Sequence, residues 1–281
     1  MLRKGELFSM GAQNDRKKVD ILILAAGKGS RLGNLGKETP KCLMQIAGKT
    51  LIEHQIDALK LNHNTGNIYV ALGHQHLEVE AAISNKVDSF ILNEDYSSTN
   101  MVHSFLCAKN IFSDRDLIVS YGDIVYSPKI ASVLSHSQSD YSIVIDKDWL
   151  NLWKNRFTDP YSDAESLLIK NENIIEIGNK ITETDRVDGQ YIGLMKFSPK
   201  AISKILKMSN RREAINNKPV ETAYFTDLLK QLIIEKENLK PIYTFGEWFE
   251  VDTQKDLDLY RSSLKGHKED IYSIGRADSL T

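Results

Sequence analysis

The feature that most constrains this chain is the run Val19-Asp20-Ile21-Leu22-Ile23-Leu24-Ala25-Ala26, which stops at Gly27-Lys28-Gly29. A nearly continuous apolar stretch bounded by glycines reads as a strand buried on both faces, the kind that parallel sheets contain. Leu51, Ile52, Ile56 and Leu59 then recur at helical spacing, and residues 68–72 read as a second buried strand ending at Gly73. The alternation continues with a helix over 76–84, a strand over 89–92, a helix over 101–110 and a strand over 116–120. Strand and helix in repeated succession imply an α/β fold with a mainly parallel sheet.

From about residue 140 the texture changes. Strands at 141–145, 166–169, 174–177 and 190–197 follow one another with crossover helices largely absent, which predicts a small antiparallel lobe spanning about 140–198. Helices over 201–208 and 222–236, a strand over 241–245, a short strand over 248–251 and a helix over 253–264 complete the pattern. No internal repeat or low-complexity segment appears. One domain over 19–264 is expected, with an N-terminal extension over 1–18 and a C-terminal tail over 265–281 of weak periodicity.

Charge narrows the partners. With 36 Lys plus Arg against 38 Asp plus Glu, the net charge of -2 supplies no global field for nucleic acid or an anionic membrane. A small-molecule partner is expected, and a homo-oligomer stays open. Two cysteines, Cys42 and Cys107, make no disulfide framework and lack zinc-site spacing. The first 18 residues contain no apolar run of the signal-peptide kind, and no later run reaches the ~18 residues that span a bilayer. A reducing, cytoplasmic location is the expectation. The histidines, among them His74, His76 and His103, show no paired metal spacing, and none is assigned to a metal.

Glycines after a buried strand let backbone N–H groups approach a phosphate, and Lys28 and Arg31 add positive charge. Pro40-Lys41 places a further cation after a long glycine-containing loop, so Lys28, Arg31 and Lys41 can converge on one polyphosphate. Two better-known phosphate loops do not fit. The dinucleotide fingerprint needs a third glycine where Leu32 stands, with a helix at once, yet Gly33, Gly36 and Pro40 interrupt. Gly48-Lys49-Thr50 lacks the Walker glycine five positions earlier, where Leu43 stands, and reads as a strand-to-helix turn.

Leu24-Ala25-Ala26-Gly27-Lys28-Gly29-Ser30-Arg31-Leu32 followed by Pro40-Lys41 resembles the signature of the nucleotidyltransferases that make nucleotide-diphospho compounds. The resemblance runs on through Asn93-Glu94-Asp95-Tyr96-Ser97-Ser98-Thr99-Asn100-Met101, Tyr121-Gly122-Asp123-Ile124-Val125-Tyr126, Gly189-Gln190-Tyr191-Ile192-Gly193-Leu194 and Glu250-Val251-Asp252. Tyr-x-x-Thr-Asn looks like the cytidylyltransferase branch, which acts on phosphocholine, aminoethylphosphonate and related acceptors. The Gln and Pro-x-Gly elements usual in sugar-1-phosphate enzymes, which use UTP or dTTP, are missing. Ser98-Thr99-Asn100-Met101-Val102-His103, Asp146-Lys147-Asp148-Trp149, Leu152-Trp153, Arg156-Phe157 and Asp163-Ala164-Glu165 together are similar to the cytidylyltransferases of capsular phosphoramidate synthesis, whose acceptor is phosphoglutamine.

The resemblance implies a Rossmann-like three-layer sandwich, the nucleotide-diphospho-sugar transferase fold, with CTP and a small phosphorylated acceptor as partners and Mg²⁺ as cofactor. It places Leu24, Ala25, Ala26, Gly27, Lys28, Gly29 and Ser30 on the nucleotide, Arg31 on the β- and γ-phosphates, and Lys41 near the α-phosphorus. Asp123 follows a strand's C-terminal end, where open α/β sheets bind ligands. It and Asp252 are the candidate Mg²⁺ carboxylates, and a turn aspartate and an N-cap are their plainer explanations. Ser98, Thr99 and Asn100 precede a helix, so capping accounts for at least one of them; Asn100 is also the candidate base or ribose contact. Gly73 resembles the family's position of close approach to the base, or is a plain turn. On the acceptor side stand Lys180, which resembles the family's phosphate-binding lysine, and the cations Lys147 and Arg156. Asp163 and Glu165 would receive an ammonium, and Tyr191 would pack over it. Trp149 and Trp153, four apart, share a helix face and are expected to pack internally. A nucleotide-binding subunit without turnover is the non-enzymatic alternative.

Overall fold

Strand β1 (Val19–Ala25) is buried through its first six residues. It pairs in parallel on both sides, with β4 (Thr65–Leu72) and with β6 (Asp116–Tyr121), which is why its apolar run does not alternate. A computed structural model describes residues 18–181, 187–210, 214–264 and 271–272. Nearly all of the expected N-terminal extension and of the expected C-terminal tail lies outside the described residues.

The main sheet has nine strands in the order β5-β4-β1-β6-β11-β8-β12-β10-β9. Its remaining members are β5 (Ser89–Leu92), β8 (Tyr141–Asp146), β9 (Glu165–Lys170), β10 (Asn173–Lys180), β11 (Gln190–Phe197) and β12 (Leu239–Thr244). β11 runs antiparallel between β6 and β8, and β10 antiparallel to β12 and β9; the other pairings are parallel. Two small antiparallel pairs stand apart: β2 (Gln45–Ile46) with β3 (Lys49–Thr50), and β7 (Ile124–Tyr126) with β13 (Trp248–Glu250).

Alternate residues of β1 feed two cores, one on each face of the sheet. Ile21 and Ile23 pack with α2 (Leu51–Lys60), α3 (His76–Ile83), α5 (Pro128–Ser135), α6 (Trp149–Arg156) and α9 (Gln254–Ser263). Leu22 and Leu24 pack with α4 (Met101–Cys107), α7 (Pro199–Asn210) and α8 (Phe225–Ile234). Helix, sheet and helix make the three-layer sandwich that the resemblance implies.

The strands expected of a separate lobe, β8 to β11, join the main sheet, and α6 stands where a crossover helix was not expected. Helix α5 was not anticipated either, although Ser127 followed by Pro128 at the first turn is a start signal. Gly48 turns the β2–β3 hairpin, and Thr50 then caps α2 in a reciprocal box with Glu53. The short helix α1 (Asn34–Glu38) lies within the glycine-containing loop. Residues 108–111 continue α4 as a 3₁₀ turn, where an unbroken helix was expected.

Candidate active site

β1 delivers the chain to Gly27-Lys28-Gly29 at the C-terminal end of the parallel strands. Gly29 adopts φ 61°, and a Cβ there would lie 3.2 Å from the Lys41 Cβ, so the turn needs glycine both for its hand and for its closeness to the Pro40-Lys41 segment. A 3₁₀ turn over Ser30–Leu32 buries Leu32 and leaves Arg31 exposed. A second, Lys41–Leu43, begins directly after Pro40.

The two expected carboxylates come together through the β7–β13 ladder. Asp123 lies in the turn between β6 and β7, and Glu250 of β13 stands opposite Ile124. One step further the Val251 N–H donates to the Asp123 carbonyl at 3.1 Å, which brings Asp252 beside Asp123 although 129 positions separate them in sequence. Lys41 lies between them. Its Nζ donates to Asp123 Oδ2 at 2.7 Å and to Asp252 Oδ1 at 2.5 Å, while Arg31 Nη1 reaches Asp252 Oδ2 at 3.0 Å. Burial works against the Lys41 charge, but Asp123 and Asp252 outweigh it and hold the ammonium's pKa above its ordinary value. Burial likewise pushes the Asp252 carboxyl up; Lys41, then Arg31 and Arg156, overcome that and leave it below the usual range.

Helix α9 is capped by Thr253, so Asp252 is not the cap that its position also suggested. Asp256 Oδ2 accepts from the Asp252 N–H at 3.0 Å and the Thr253 N–H at 2.8 Å. Asp256 is held in turn by Arg156, whose Nε donates to Oδ1 at 2.9 Å and whose Nη1 donates to Glu250 Oε1 at 2.5 Å. The guanidinium lies 5.0 Å from the centroid of the Trp153 ring and 4.9 Å from that of Phe157, with no side-chain surface exposed. The acceptor role expected of Arg156 therefore meets a correction: the residue braces the carboxylate end of the site from inside the fold. Glu250 is driven up to about 7, chiefly by burial and against the pull of Arg156.

These groups border a cavity of about 510 Å³. Leu24, Ala25, Ala26, Gly27, Gly29, Ser30 and Arg31 line it, together with Asn93, Tyr96, Thr99 and Asn100. Lys28 does not line it; its Nζ lies 5.9 Å from the Tyr96 ring centroid. Asn100 caps α4, accepting from the Met101 N–H at 2.9 Å, and Thr99 Oγ1 donates to the Asp95 carbonyl at 2.9 Å. Ser98 bonds to the same carbonyl outside the cavity. Gly73 also lies outside the lining. A Cβ on it would come within 2.5 Å of the Tyr96 Cβ, so its bareness seats the tyrosine that does line the cavity.

Beyond Asp123 and Asp252 the lining passes to Trp153, Asp163, Glu165, Gln190 and Tyr191. Burial raises the pKa of the Glu165 carboxyl above its ordinary value. Two expected acceptor cations are placed elsewhere. Lys147 donates to the Asp188 carbonyl and packs over Tyr243, and Lys180, the exposed last residue of β10, stands opposite Glu165 in the β-ladder without lining the cavity. Sequence reasoning did not single out Gln190, Tyr224, Thr226 or Glu250. Gln190 and Glu250 fall inside quoted motifs, whereas Tyr224 and Thr226 start α8 with no local signal of chemistry. Cys42 also lines the cavity, but burial pushes its thiol up to about 12, so it is a small neutral packing group. Trp149 and Trp153 pack edge to face at 5.9 Å, as their spacing predicts.

Among the described residues no group of three or more His, Cys, Asp or Glu side chains is arranged to hold a metal, and no helix is long and apolar enough to cross a membrane.

Residues 21–160 match the MobA-like NTP transferase domain. The chain is 39% identical over 251 residues to the CTP:phosphoglutamine cytidylyltransferase of Campylobacter jejuni, a match that spans 86% of this chain and 98% of that protein. The chain belongs to the nucleotidyltransferase family, in its cytidylyltransferase branch. It is thus an enzyme of nucleotidyl transfer. Among solved structures, the inositol-1-phosphate CTP transferase of T. maritima superposes with a TM-score of 0.70 at 18% identity, covering 92% of this chain and 96% of that one. The CTP:phosphocholine cytidylyltransferase of Streptococcus pneumoniae gives 0.65 at 20%, covering 88% and 100%. At these identities the two structures carry the fold, the nucleotide-diphospho-sugar transferase fold, and nothing finer.

Proposed function

We propose that this cytidylyltransferase moves CMP from CTP onto phosphoglutamine, releasing pyrophosphate, as a step in decorating cell-surface polysaccharide. The observation that carries the reading is the identity of 39% along 98% of a protein that performs this reaction, in a chain whose cavity gathers Arg31, Lys41, Asp123 and Asp252 at one point. In the reaction an acceptor phosphate oxygen bonds to the α-phosphorus of CTP, the bond from that phosphorus to the bridging oxygen breaks, and pyrophosphate leaves with the electron pair. The attacking oxygen is already anionic at pH 7, so the protein supplies position and charge rather than a base.

The glycine loop offers its backbone N–H groups to the triphosphate, and Arg31 turns to the β- and γ-phosphates. Lys41 leaves the two carboxylates for the α-phosphate, where negative charge builds up in the transition state. The carboxylate pair fits a divalent cation: Asp123 keeps Oδ1 buried with no partner, and the Lys41 ammonium already serves as a cation shared with Asp252. Asp123 and Asp252 would hold Mg²⁺, with phosphate oxygens and water completing its shell. When bound, the ion neutralises phosphate charge and screens the leaving group.

Pyrophosphate release measured with Mg²⁺ for CTP, UTP and dTTP, each with phosphoglutamine, phosphocholine, aminoethylphosphonate and glucose-1-phosphate, tests the reading. Release is expected with CTP and phosphoglutamine and is lost when the metal is chelated. Preference for UTP or dTTP with the hexose phosphate would overturn it.

A further inference from the structure

The two half-sites of the cavity differ in what they leave unpaired. On the side beyond Asp252, Trp153 and Gln190 are 3% and 7% exposed and both line the cavity. Trp153 Nε1 and Gln190 Oε1 are nevertheless without hydrogen-bond partners. An indole N–H can only donate, and buried indole and amide groups are normally satisfied, because leaving one unmet costs about as much as the hydrogen bond is worth. Such a pair at a cavity wall is explained when a ligand completes it.

The surroundings say what kind of ligand. Gln190 and Ile192 alternate onto the sheet face where Ile192 and Trp153 share one core, so the amide and the indole belong to the same side of the molecule. Asp163 lines the same cavity and forms no hydrogen bond or ion pair with the described residues, while the buried Arg156 is committed to Glu250 and Asp256. The same cavity thus holds an unpartnered N–H donor, from Trp153, and oxygen acceptors from Gln190 and Asp163. Trimethylammonium groups have no N–H to offer those oxygens and no acceptor for the indole.

We infer that Trp153 and Gln190 are specificity-determining residues that read the free α-amino-acid end of the acceptor. The Trp153 indole donates to the ligand's carboxylate, and the Gln190 carbonyl oxygen, with Asp163, accepts from its ammonium. This deepens the phosphoglutamine reading and rests on it. An N-phosphorylated glutamine presents both groups at the end remote from the phosphate; aminoethylphosphonate presents only the ammonium, and phosphocholine neither.

The test crosses the protein with the ligand. Phosphoglutamine and two analogues, one lacking the α-carboxylate and one lacking the α-amine, are assayed by pyrophosphate release with CTP for the wild type, Trp153→Phe and Gln190→Met. Deleting the carboxylate is expected to lower kcat/KM about 10-fold in the wild type and to change little in Trp153→Phe, since the partner is already gone. Deleting the amine behaves likewise toward Gln190→Met. The KM for CTP stays within about 2-fold throughout, which separates lost recognition from a damaged fold. Equal analogue penalties in wild type and variants would overturn the inference alone. Absence of wild-type turnover with phosphoglutamine, while another acceptor is consumed, would overturn the functional reading and this inference with it.

Discussion

The end of the cavity proposed to take the nucleotide is built from contiguous chain, whereas the proposed acceptor end is assembled from single residues of α6, the loop before β9, β11 and the segment after β13. Seven of the eight consecutive residues from Leu24 to Arg31 line the first. On the proposed reading backbone N–H groups do the recognising there, and backbone geometry is written locally, in glycines and in the strand that precedes them. Trp153, Asp163, Gln190 and Asp252 meet only after the sheet has formed. The difference teaches that a phosphate-binding turn persists as a sequence word, while an acceptor pocket is a property of topology and can change one residue at a time.

The largest effect is expected where the two ends meet, since Lys41 and Asp123 are proposed to act on both substrates. Asp123→Asn is expected to lower kcat by about 10²–10³-fold, the scale of losing one preorganised electrostatic contact, while the thermal melt stays close to that of the wild type. Steady-state pyrophosphate release beside a calorimetric melt checks both halves of that statement. A variant that retains more than a tenth of its turnover would remove Asp123 from the mechanism.

Arg156 comes next, and its effect is on stability. Replacing it by Met leaves Glu250 and Asp256 without their buried cation, and breaking a buried pair of this kind costs about 3–5 kcal/mol. Urea denaturation at pH 7 reads the loss directly. A small loss of stability with a raised acceptor KM would return Arg156 to the acceptor role that its place in sequence suggested.

The smallest effects sharpen the contrast between the two ends. Arg31→Ala is expected to raise the KM for CTP by about 10-fold and to leave the acceptor KM alone, since an exposed, charge-assisted contact of this kind is worth about 1–2 kcal/mol. Asp163→Asn does the converse, with a rise of a few fold for the acceptor only. Initial rates in which each substrate is varied at saturating levels of the other separate the two. If both variants raise both constants, the division of the cavity fails.

Much of the fold was legible because β1 and β4 are buried on both faces and carry an unbroken apolar signal, and because α2, α4 and α9 follow side chains that cap. β9 and β10 were legible as strands but not as members of the main sheet, since partner choice lies in long-range pairing. Lys41, Asp123 and Asp252 are expected to share a site, and the fold brings Lys41 into hydrogen-bond contact with both carboxylates. Arg156 and Lys147 stand outside the cavity lining, and the sequence conceals it for one reason: a cation's sequence position does not say whether its charge meets a ligand or the protein's own carboxylates and carbonyls. Gln190 and Trp153 lie inside motifs that carry the resemblance, but nothing in the sequence sets them apart from their neighbours, because their significance is an unmet hydrogen bond, which exists only in the folded cavity.

³¹P NMR of CTP, phosphoglutamine and Mg²⁺ incubated with the enzyme decides whether the nucleotidyl group passes to an amino-acid-type phosphate. Equal amounts of pyrophosphate and of a new pair of coupled signals from the CMP-linked product are expected, with both substrates consumed together. Orthophosphate with CDP as the new coupled species in place of pyrophosphate, or CTP consumed while phosphoglutamine persists, would contradict it.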